Sequence, residues 1–519
     1  MKKIFSFLMS FILVFTLMFS SMPVANAAQD GADIPVIHIS GQGAQLIKFN
    51  EDGVKETIFP LQISDGYIEE KAKEFLPVFA KAFFTQEWSE FSETLVDILV
   101  PVFEPIALDK NGEASDGSRA DWTWSRETLR NYRNKDGKYS ATAYKFYYDF
   151  RVDPMKTADL LHKYIEDVLY VTGEEKVALY GRCLGSNIVA AYMYKYDGEY
   201  VQDVIHYASS VYGATPCSKA FTGEMFLDAD SLDRFMYDYD LGLGEQYTAL
   251  LQSFVTLFNK TYGLDITCLA VNNVLEDIYL DIFPEVLRSS YATFPSYWGM
   301  VSIGDYEKAM ETVFYGADKS EYAGLIEKIE YYRNNVQLKF EDLVKAQEEK
   351  GVEFSNIVKY GFQSIPIKAD SESLSDQIVT VYESSFGATT AKLDETLSEN
   401  YIANAEKNST LKYISPDKQI DSSTCLSPDT TWYIKNLEHN YFPDCVNGLV
   451  SQIVNNRAYT VFTSEEYPQY LVFDNDSQTV SPMTVENYDT TQRWYVTLFD
   501  ALRTLFDNLF KIIREAFAK

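Results

Sequence analysis

Two patterns of apolar residues alternate along the first half of the chain. Short apolar runs, typical of buried strands, lie at residues 35–40, 144–148, 176–180 and 204–208. Apolar residues three and four positions apart, typical of a helix, fill residues 157–171 and 184–194. Parallel strands need long crossover connections, which are usually helices. The alternation therefore predicts an α/β fold with a mostly parallel sheet and helices on both faces.

A long helical stretch interrupts this alternation at residues 217–354. It contains little strand signal, and its clearest helical patterns lie at residues 246–262, 271–288 and 305–314. Strand-like runs then return at residues 364–368 and 432–435. We interpret the helical stretch as a cap inserted between two parts of the sheet domain, residues 28–216 and 355–460. Residues 461–519 form a C-terminal extension.

The first residues have the pattern of an export signal. Lys2 and Lys3 precede an apolar run at residues 4–19, and Ala-Asn-Ala at residues 25–27 has the small-x-small form of a cleavage site. A membrane anchor is the alternative, but the run is short for a bilayer span. We expect residues 1–27 to be a Sec signal peptide and the mature chain to be secreted. No cysteine follows the cleavage site to carry a lipid anchor.

The last residues predict an amphipathic helix. One of its faces is apolar and consists of Leu498, Phe499, Leu502, Leu505, Phe506, Leu509, Ile512, Ile513 and Phe517. The helix either packs on the body of the protein or makes a peripheral contact with lipid or the cell envelope. Its polar face carries charges of both signs instead of a lysine-rich edge, and this favours packing on the body.

Composition and charge narrow the classes of partner. Apolar residues make up 46% of the chain and charged residues 23%, which is typical of a globular protein. The net charge of −31 excludes nucleic acid, because the two would repel each other. No His/Cys/Asp group has the spacing of metal ligands, and glycine motifs for phosphates or dinucleotides are absent from the sequence. We expect no metal and no cofactor.

The five cysteines are an odd number for an exported chain, in which cysteines tend to pair. Cys425 and Cys445 are close in sequence, and Cys217 and Cys268 lie within another segment. Pairing in this way would leave Cys183 as the free thiol, although spacing alone does not determine connectivity.

Cys183 lies in Gly181-Arg182-Cys183-Leu184-Gly185, between a predicted strand and a predicted helix. A nucleophile on such a sharp turn needs small neighbours, and the start of a helix favours the thiolate. A buried structural cysteine is the alternative. Ser186 is the rival nucleophile, but it lies one position beyond the second glycine, where the turn does not present it.

A cysteine nucleophile needs a base and an acid that orients the base. His439 follows the last predicted core strand and is our candidate for the base. The other three histidines fall within predicted strands or a helix, where packing is the commoner role: His38, His162 and His206. For the acid we choose Asp417, which follows a strand-like run, with Asp421 as the second candidate; loop solvation is the alternative role of both.

The oxyanion of an acyl-transfer reaction needs two hydrogen-bond donors. The backbone N–H groups of Leu184, after the nucleophile, and of Gln42, in the turn after the first core strand, are placed for this by topology.

The chain resembles the α/β-hydrolase superfamily, and within it the lecithin:cholesterol acyltransferase-like and lipase branch. The resemblance covers about half of the mature chain. It is carried by PVIHISGQG, KFYYDFR, the elbow segment through Met193, HYASSVYGATPCS and the DKQID…H arrangement. Most of that superfamily has serine at the elbow, whereas cysteine occurs there in dienelactone hydrolases and polyhydroxyalkanoate synthases. The resemblance implies an α/β-hydrolase fold with a helical cap insertion and acyl-ester chemistry.

These features predict an exported hydrolase of acyl esters, lactones or thioesters that forms an acyl-thioester on Cys183. A small or lipid-like acyl substrate would lie under the aromatic-rich cap, with residues 294–300 as a lining segment. Two alternatives remain: an acyltransferase with the same residues, and an inactive member of the fold that serves as a surface binding protein.

Overall fold

A computed structural model describes residues 31–61, 65–238, 245–364 and 372–488 of the chain. Three predicted features lie outside these residues: the signal peptide, the C-terminal amphipathic helix and nearly all of the predicted strand at 364–368.

The core of the molecule is an eight-stranded, mostly parallel sheet. In spatial order its strands are β13, β12, β11, β8, β7, β6, β1 and β5. All neighbours are parallel except β12 and β13, which are antiparallel. The bounds are β1 Val36–Ile39, β5 Tyr144–Phe146, β6 Val177–Arg182, β7 Val201–Tyr207, β8 Glu353–Tyr360, β11 Thr431–Lys435, β12 Tyr470–Asp474 and β13 Thr479–Pro482.

Five short strands form two smaller antiparallel sheets. Their bounds are β2 Leu46–Phe49, β3 Lys55–Phe59, β4 Arg119–Ala120, β9 Thr389–Thr390 and β10 Ile420–Asp421. In the first small sheet β2 lies between β3 and β4, and in the second β9 pairs with β10.

Helices cover both faces of the main sheet. The helices before β8 are α1 Asp65–Thr85, α2 Ser89–Phe103, α3 Pro154–Thr172, α4 Leu184–Tyr196, α5 Thr215–Thr222, α6 Ala229–Asp238, α7 Glu245–Lys260, α8 Gly263–Arg288, α9 Pro295–Trp298, α10 Tyr306–Val313, α11 Ala323–Asn335 and α12 Phe340–Glu348. After β8 come α13 Val381–Ser384, α14 Glu399–Lys407 and α15 Val446–Asn455.

The alternation of side chains along each strand supplies a core on each face. Ile37 and Ile39 of β1 join the core that also buries α3 and α4, whereas Val36 joins the core that buries α15. The predicted mostly parallel α/β fold is confirmed. The observed bounds of β1, β5, β6, β7, α3 and α4 all overlap the predicted ranges.

The helical stretch between β7 and β8 comprises α5 to α12, close to the predicted limits of 217–354. It ends two residues earlier than predicted, because β8 begins at Glu353. The sequence pattern does not predict β8, because three polar residues interrupt its apolar run: Ser355, Asn356 and Lys359. All three are nevertheless buried. Within the described residues no helix has the length and apolar character needed to cross a membrane.

The carboxyl ends of the parallel strands meet at one edge of the sheet. The segments that follow β1, β6, β8 and β11 therefore converge there. They contain Gln42, Cys183, Asp376 and His439, respectively.

Candidate active site

Cys183 occupies a strained turn between β6 and α4. Its backbone has φ 47° and ψ −122°, a conformation rarely adopted by a residue with a side chain. The flanking glycines make the turn possible. A Cβ atom at Gly185 would collide with the carbonyl oxygens of Ile39 and Ser40, and one at Gly181 would lie 2.9 Å from a methyl group of Val189.

Ser186 does not share this exposure. Its side chain is fully buried, and its hydroxyl donates a hydrogen bond to the carbonyl of Gly181 at 2.9 Å. Cys183, in contrast, is partly exposed. The geometry therefore favours Cys183 over Ser186 as the nucleophile candidate.

His439 and Cys183 line the same cavity, and each side chain shifts the pKa of the other. The Nδ1 atom of its imidazole lies 2.7 Å from Oδ2 of Asp376. The backbone N–H of His439 also donates to the carbonyl of Asp376 at 2.8 Å. These two bonds orient the ring, leaving Nε2 for the sulfur.

Asp376 is itself held by the backbone. Its Oδ1 accepts hydrogen bonds from the N–H groups of Ile378 at 3.1 Å and Val379 at 2.8 Å. The residue is fully buried. Asp376 thus lies beside His439, in the position where the sequence analysis expected Asp417.

The prediction that Asp417 orients His439 is wrong, as is the second choice of Asp421. Oδ2 of Asp417 accepts hydrogen bonds from Lys435 at 2.8 Å and from the Tyr360 hydroxyl at 3.2 Å. Asp421 accepts from the Tyr401 hydroxyl at 2.9 Å. Asp417 thus bonds residues at the carboxyl ends of β8 and β11, and Asp421 is part of β10.

The physical reason is strand order. Asp376 follows β8, and β8 pairs with β11, the strand that leads to His439. The available signal was an acidic residue in the segment that follows a strand at the carboxyl edge; Asp376 lies 16 residues after Tyr360, where β8 ends. It was missed because β8 itself was not recognised.

The three side chains shift one another's pKa values. Burial raises the pKa of the Cys183 thiol, but the charge and hydrogen bond of His439 and the N–H of Leu184 lower it to a net value below the ordinary one. Burial lowers the pKa of His439, but Asp376 and Cys183 raise it to about 9. Burial raises the pKa of Asp376, and His439 and Lys359 outweigh this effect, so that its net pKa is lowered. The set favours a thiolate beside an imidazolium.

Cys183 lines a cavity of about 40 Å³. The cavity is lined by Ser40, Gly41, Gln42, Arg182, Cys183, Leu184, Tyr297, Met300, His439, Asn440 and Phe442. Both predicted oxyanion residues, Gln42 and Leu184, are among them. The turn that carries Gln42 is fixed by Tyr148, whose hydroxyl donates to the carbonyl of Gly41 at 3.1 Å.

No protein-family model and no curated protein matches this chain.

The remaining histidines lie elsewhere. His38 contacts Arg182, with its Nε2 3.3 Å from the guanidinium, and burial lowers its pKa well below the ordinary value. His206 is buried, and this lowers its pKa to about 3. His162 stacks on Tyr196. None of the three is placed beside the sulfur.

The predicted disulfides are wrong in this structure. All five cysteines lie within the described residues, and all are free thiols. Cys217 donates to the carbonyl of Tyr297 at 3.4 Å, whereas Cys268 packs in a separate apolar cluster. Burial raises the pKa of Cys217, Cys268, Cys425 and Cys445, so that Cys183 is the cysteine with a lowered pKa.

A metal centre was not predicted. Across the described ranges, no group of three or more His, Cys, Asp or Glu side chains is arranged to hold a metal ion.

Proposed function

We propose that this protein is an exported acyl-transfer enzyme that hydrolyses esters, lactones or thioesters through Cys183. The observation that carries the proposal is the arrangement of three side chains: Asp376 lies 2.7 Å from Nδ1 of His439, and His439 lines one cavity with Cys183, which occupies a strained strand-to-helix turn. Nucleophile, acid and base occur in this chain order in α/β-hydrolases.

The arrangement of the sheet supports an α/β-hydrolase fold. The nucleophile candidate follows β6, the acid follows β8 and the base follows β11, all at the carboxyl edge. In this interpretation α5 to α12 form the cap. Two residues of the predicted lining segment, Tyr297 and Met300, line the same cavity as Cys183.

In the proposed acylation step, the Cys183 thiolate attacks the carbonyl carbon and forms a C–S bond. The carbonyl π electrons move to oxygen, where the N–H groups of Gln42 and Leu184 would stabilise the charge. When the intermediate collapses, the bond to the leaving alkoxide breaks, and the imidazolium of His439 gives that oxygen its proton.

In the proposed deacylation step, neutral His439 takes a proton from water, and the resulting hydroxide attacks the thioester carbonyl. Collapse breaks the C–S bond and releases a carboxylic acid. The proton remains on His439, so the thiolate and imidazolium are restored. An alcohol or amine in place of water would make the same enzyme an acyltransferase.

The walls of the cavity indicate the kind of acyl group. Leu184, Tyr297, Met300 and Phe442 contribute apolar surface close to the sulfur. An uncharged acyl chain would lose little by leaving water in this setting. We therefore propose short, apolar acyl groups as the first substrates to test.

The test is steady-state turnover of short-chain aryl esters and thioesters by the purified mature protein. We expect turnover by the wild type, none by Cys183→Ala or His439→Ala, and reduced turnover by Cys183→Ser. Adding an alcohol acceptor separates hydrolysis from transfer through the ratio of acid to new ester. Equal turnover by wild type and Cys183→Ala would refute the proposal, and N-terminal sequencing of secreted protein tests the export signal.

A further inference from the structure

A buried lysine lies directly beneath the loop that carries His439. Lys359, near the carboxyl end of β8, is fully buried. Its Nζ donates hydrogen bonds to the backbone carbonyls of Glu438 at 2.7 Å, His439 at 2.6 Å and Tyr441 at 3.2 Å. An ammonium group has three N–H donors, so these three carbonyls use its full donor capacity.

This use of a buried lysine differs from that of Lys435 on the neighbouring strand. Lys435 pairs with the carboxylate of Asp417 at 2.8 Å. Within the described part of the chain, Lys359 has no such carboxylate partner at ion-pair distance; its hydrogen-bond acceptors are main-chain atoms of one loop. Burying an ammonium group is costly unless its hydrogen bonds are satisfied. The burial of Lys359 is therefore linked to the conformation of that loop.

Aromatic rings and charges complete the surroundings of Lys359. Its Nζ lies 4.3 Å from the centre of the Phe442 ring and 4.8 Å from that of Tyr207. Burial and the charge of Arg182 lower its pKa, the charges of Asp376, Cys183 and Glu438 raise it, and the net pKa is about 7. The charges of two of the three candidate catalytic groups, Asp376 and Cys183, thus act on the pKa of Lys359.

Together these contacts fix His439 at three points. Its backbone N–H donates to the carbonyl of Asp376, its Nδ1 contacts the carboxylate of Asp376, and its backbone carbonyl accepts from Lys359. Of these three contacts, the bond from Lys359 is the one that does not come from Asp376. A shift of about 1 Å in a catalytic group can reduce a rate by about 100-fold.

We propose that Lys359 is a positioning residue, which holds the backbone of the His439 loop so that the imidazole meets the sulfur of Cys183. This inference rests on the proposed function. Lys359 acts through the loop and does not itself touch the reacting atoms. Its effect should therefore appear in kcat and in the reactivity of Cys183, and much less in KM.

The experiment compares Lys359→Met with Lys435→Met, which also removes a buried lysine. For each variant we would measure the thermal midpoint, kcat and KM for an aryl ester, and the rate at which iodoacetamide labels Cys183. Peptide mass spectrometry assigns the label, because four other thiols are present. His439→Ala gives the labelling rate without the imidazole.

We expect both lysine variants to lower the thermal midpoint. Lys359→Met should lower kcat and the labelling rate by roughly 10- to 100-fold with KM changed less than about twofold, while Lys435→Met keeps both rates. Lys359→Arg should recover part of the loss, because it keeps the charge and several donors. If Lys359→Met does not fold, Lys359→Gln, which keeps two N–H donors, takes its place.

Wild-type labelling and kcat in folded Lys359→Met would overturn the inference, as would equal losses in Lys435→Met. The labelling assay needs no substrate, so it separates this inference from the proposed function. Absence of ester turnover with a labelling rate that depends on Lys359 would overturn the function alone.

Discussion

Replacing Asp376 by asparagine removes the negative charge beside His439 and leaves the shape of the side chain nearly unchanged. The carboxylate is fully buried, lies 2.7 Å from Nδ1 of His439 and accepts two backbone N–H bonds. Asparagine keeps one oxygen acceptor and replaces the other with an N–H2 donor, so it can accept either from His439 or from the two backbone N–H groups. The variant Asp376→Asn therefore tests the charge of this side chain together with its second acceptor.

The raised pKa of His439 gives the size of the effect expected for Asp376→Asn. This pKa is raised from 6.5 to about 9, and Asp376 is the largest of the groups that raise it. A shift of about 2.5 units corresponds to about 3 kcal/mol of stabilisation of the imidazolium. Removing the charge should shift the equilibrium from the thiolate–imidazolium pair toward the neutral thiol and imidazole, with a change in equilibrium constant of roughly 100-fold. We therefore expect labelling of Cys183 to be slower than in the wild type.

The matched control is Asp417→Asn. Asp417 is also a buried aspartate, but its partners are Lys435 and Tyr360. Breaking its pair with Lys435 leaves a buried charge and should destabilise the fold by roughly 3–5 kcal/mol. It should leave the rate of labelling at Cys183 unchanged below the melting transition.

The assay is iodoacetamide labelling of Cys183 at pH 7, followed by peptide mass spectrometry, with a thermal melt of each variant. The account is refuted if folded Asp376→Asn is labelled as fast as the wild type. It is equally refuted if Asp417→Asn slows labelling as much as Asp376→Asn does.

Three further outcomes follow from the geometry. The pKa of Cys183 is lowered and that of His439 is raised to about 9, so the thiolate and the imidazolium coexist at pH values between the two. Turnover should therefore rise at a pH below the ordinary thiol range and fall through about pH 9. A pH–rate profile checks this, and a rise only above pH 9 contradicts it. Gly185→Ala should lower stability by about 1–3 kcal/mol and abolish turnover, because two carbonyl oxygens block its Cβ, whereas Gly304→Ala, with open space around it, should melt like the wild type. Ser186→Ala should keep the labelling rate of Cys183 within about threefold, since it removes one buried hydrogen bond and no candidate catalytic group; loss of turnover in the folded variant would favour serine as the nucleophile.

The parts of the site that the sequence predicted are those with a local signature. The glycines around Cys183 exist because a side chain at Gly185 would meet backbone atoms, and this constraint is visible within five residues. His439 could be chosen because only four histidines occur in the chain and the others fall within predicted strands or a helix.

The acid could not be chosen in this way. The chain has 76 acidic residues, and the one beside His439 is selected by the pairing of β8 with β11. Recognising β8 required treating Asn356 and Lys359 as buried. They are buried because Asn356 donates to the carbonyl of Ser384 and Lys359 to the His439 loop, and both are contacts distant in sequence.

The cysteines show the same limit. The predicted pair Cys217 and Cys268 lie 51 residues apart in the sequence. In the structure they belong to different apolar clusters, Cys217 to the sheet core and Cys268 to a cluster among the helices. Spacing alone does not reveal which core a side chain joins. The free thiol at Cys183 was predicted for a reason that does not hold, since the other four thiols are free as well.

The most direct test of the account is the mass of the intact protein after brief exposure to activated short-chain esters and thioesters, quenched in acid. We predict that the wild type gains one acyl group, that peptide mapping places it on Cys183, and that Cys183→Ala gains none at the same rate. An unchanged mass with every donor, or an acyl group that forms equally fast on another residue of Cys183→Ala, would contradict the claim that this sulfur is the nucleophile.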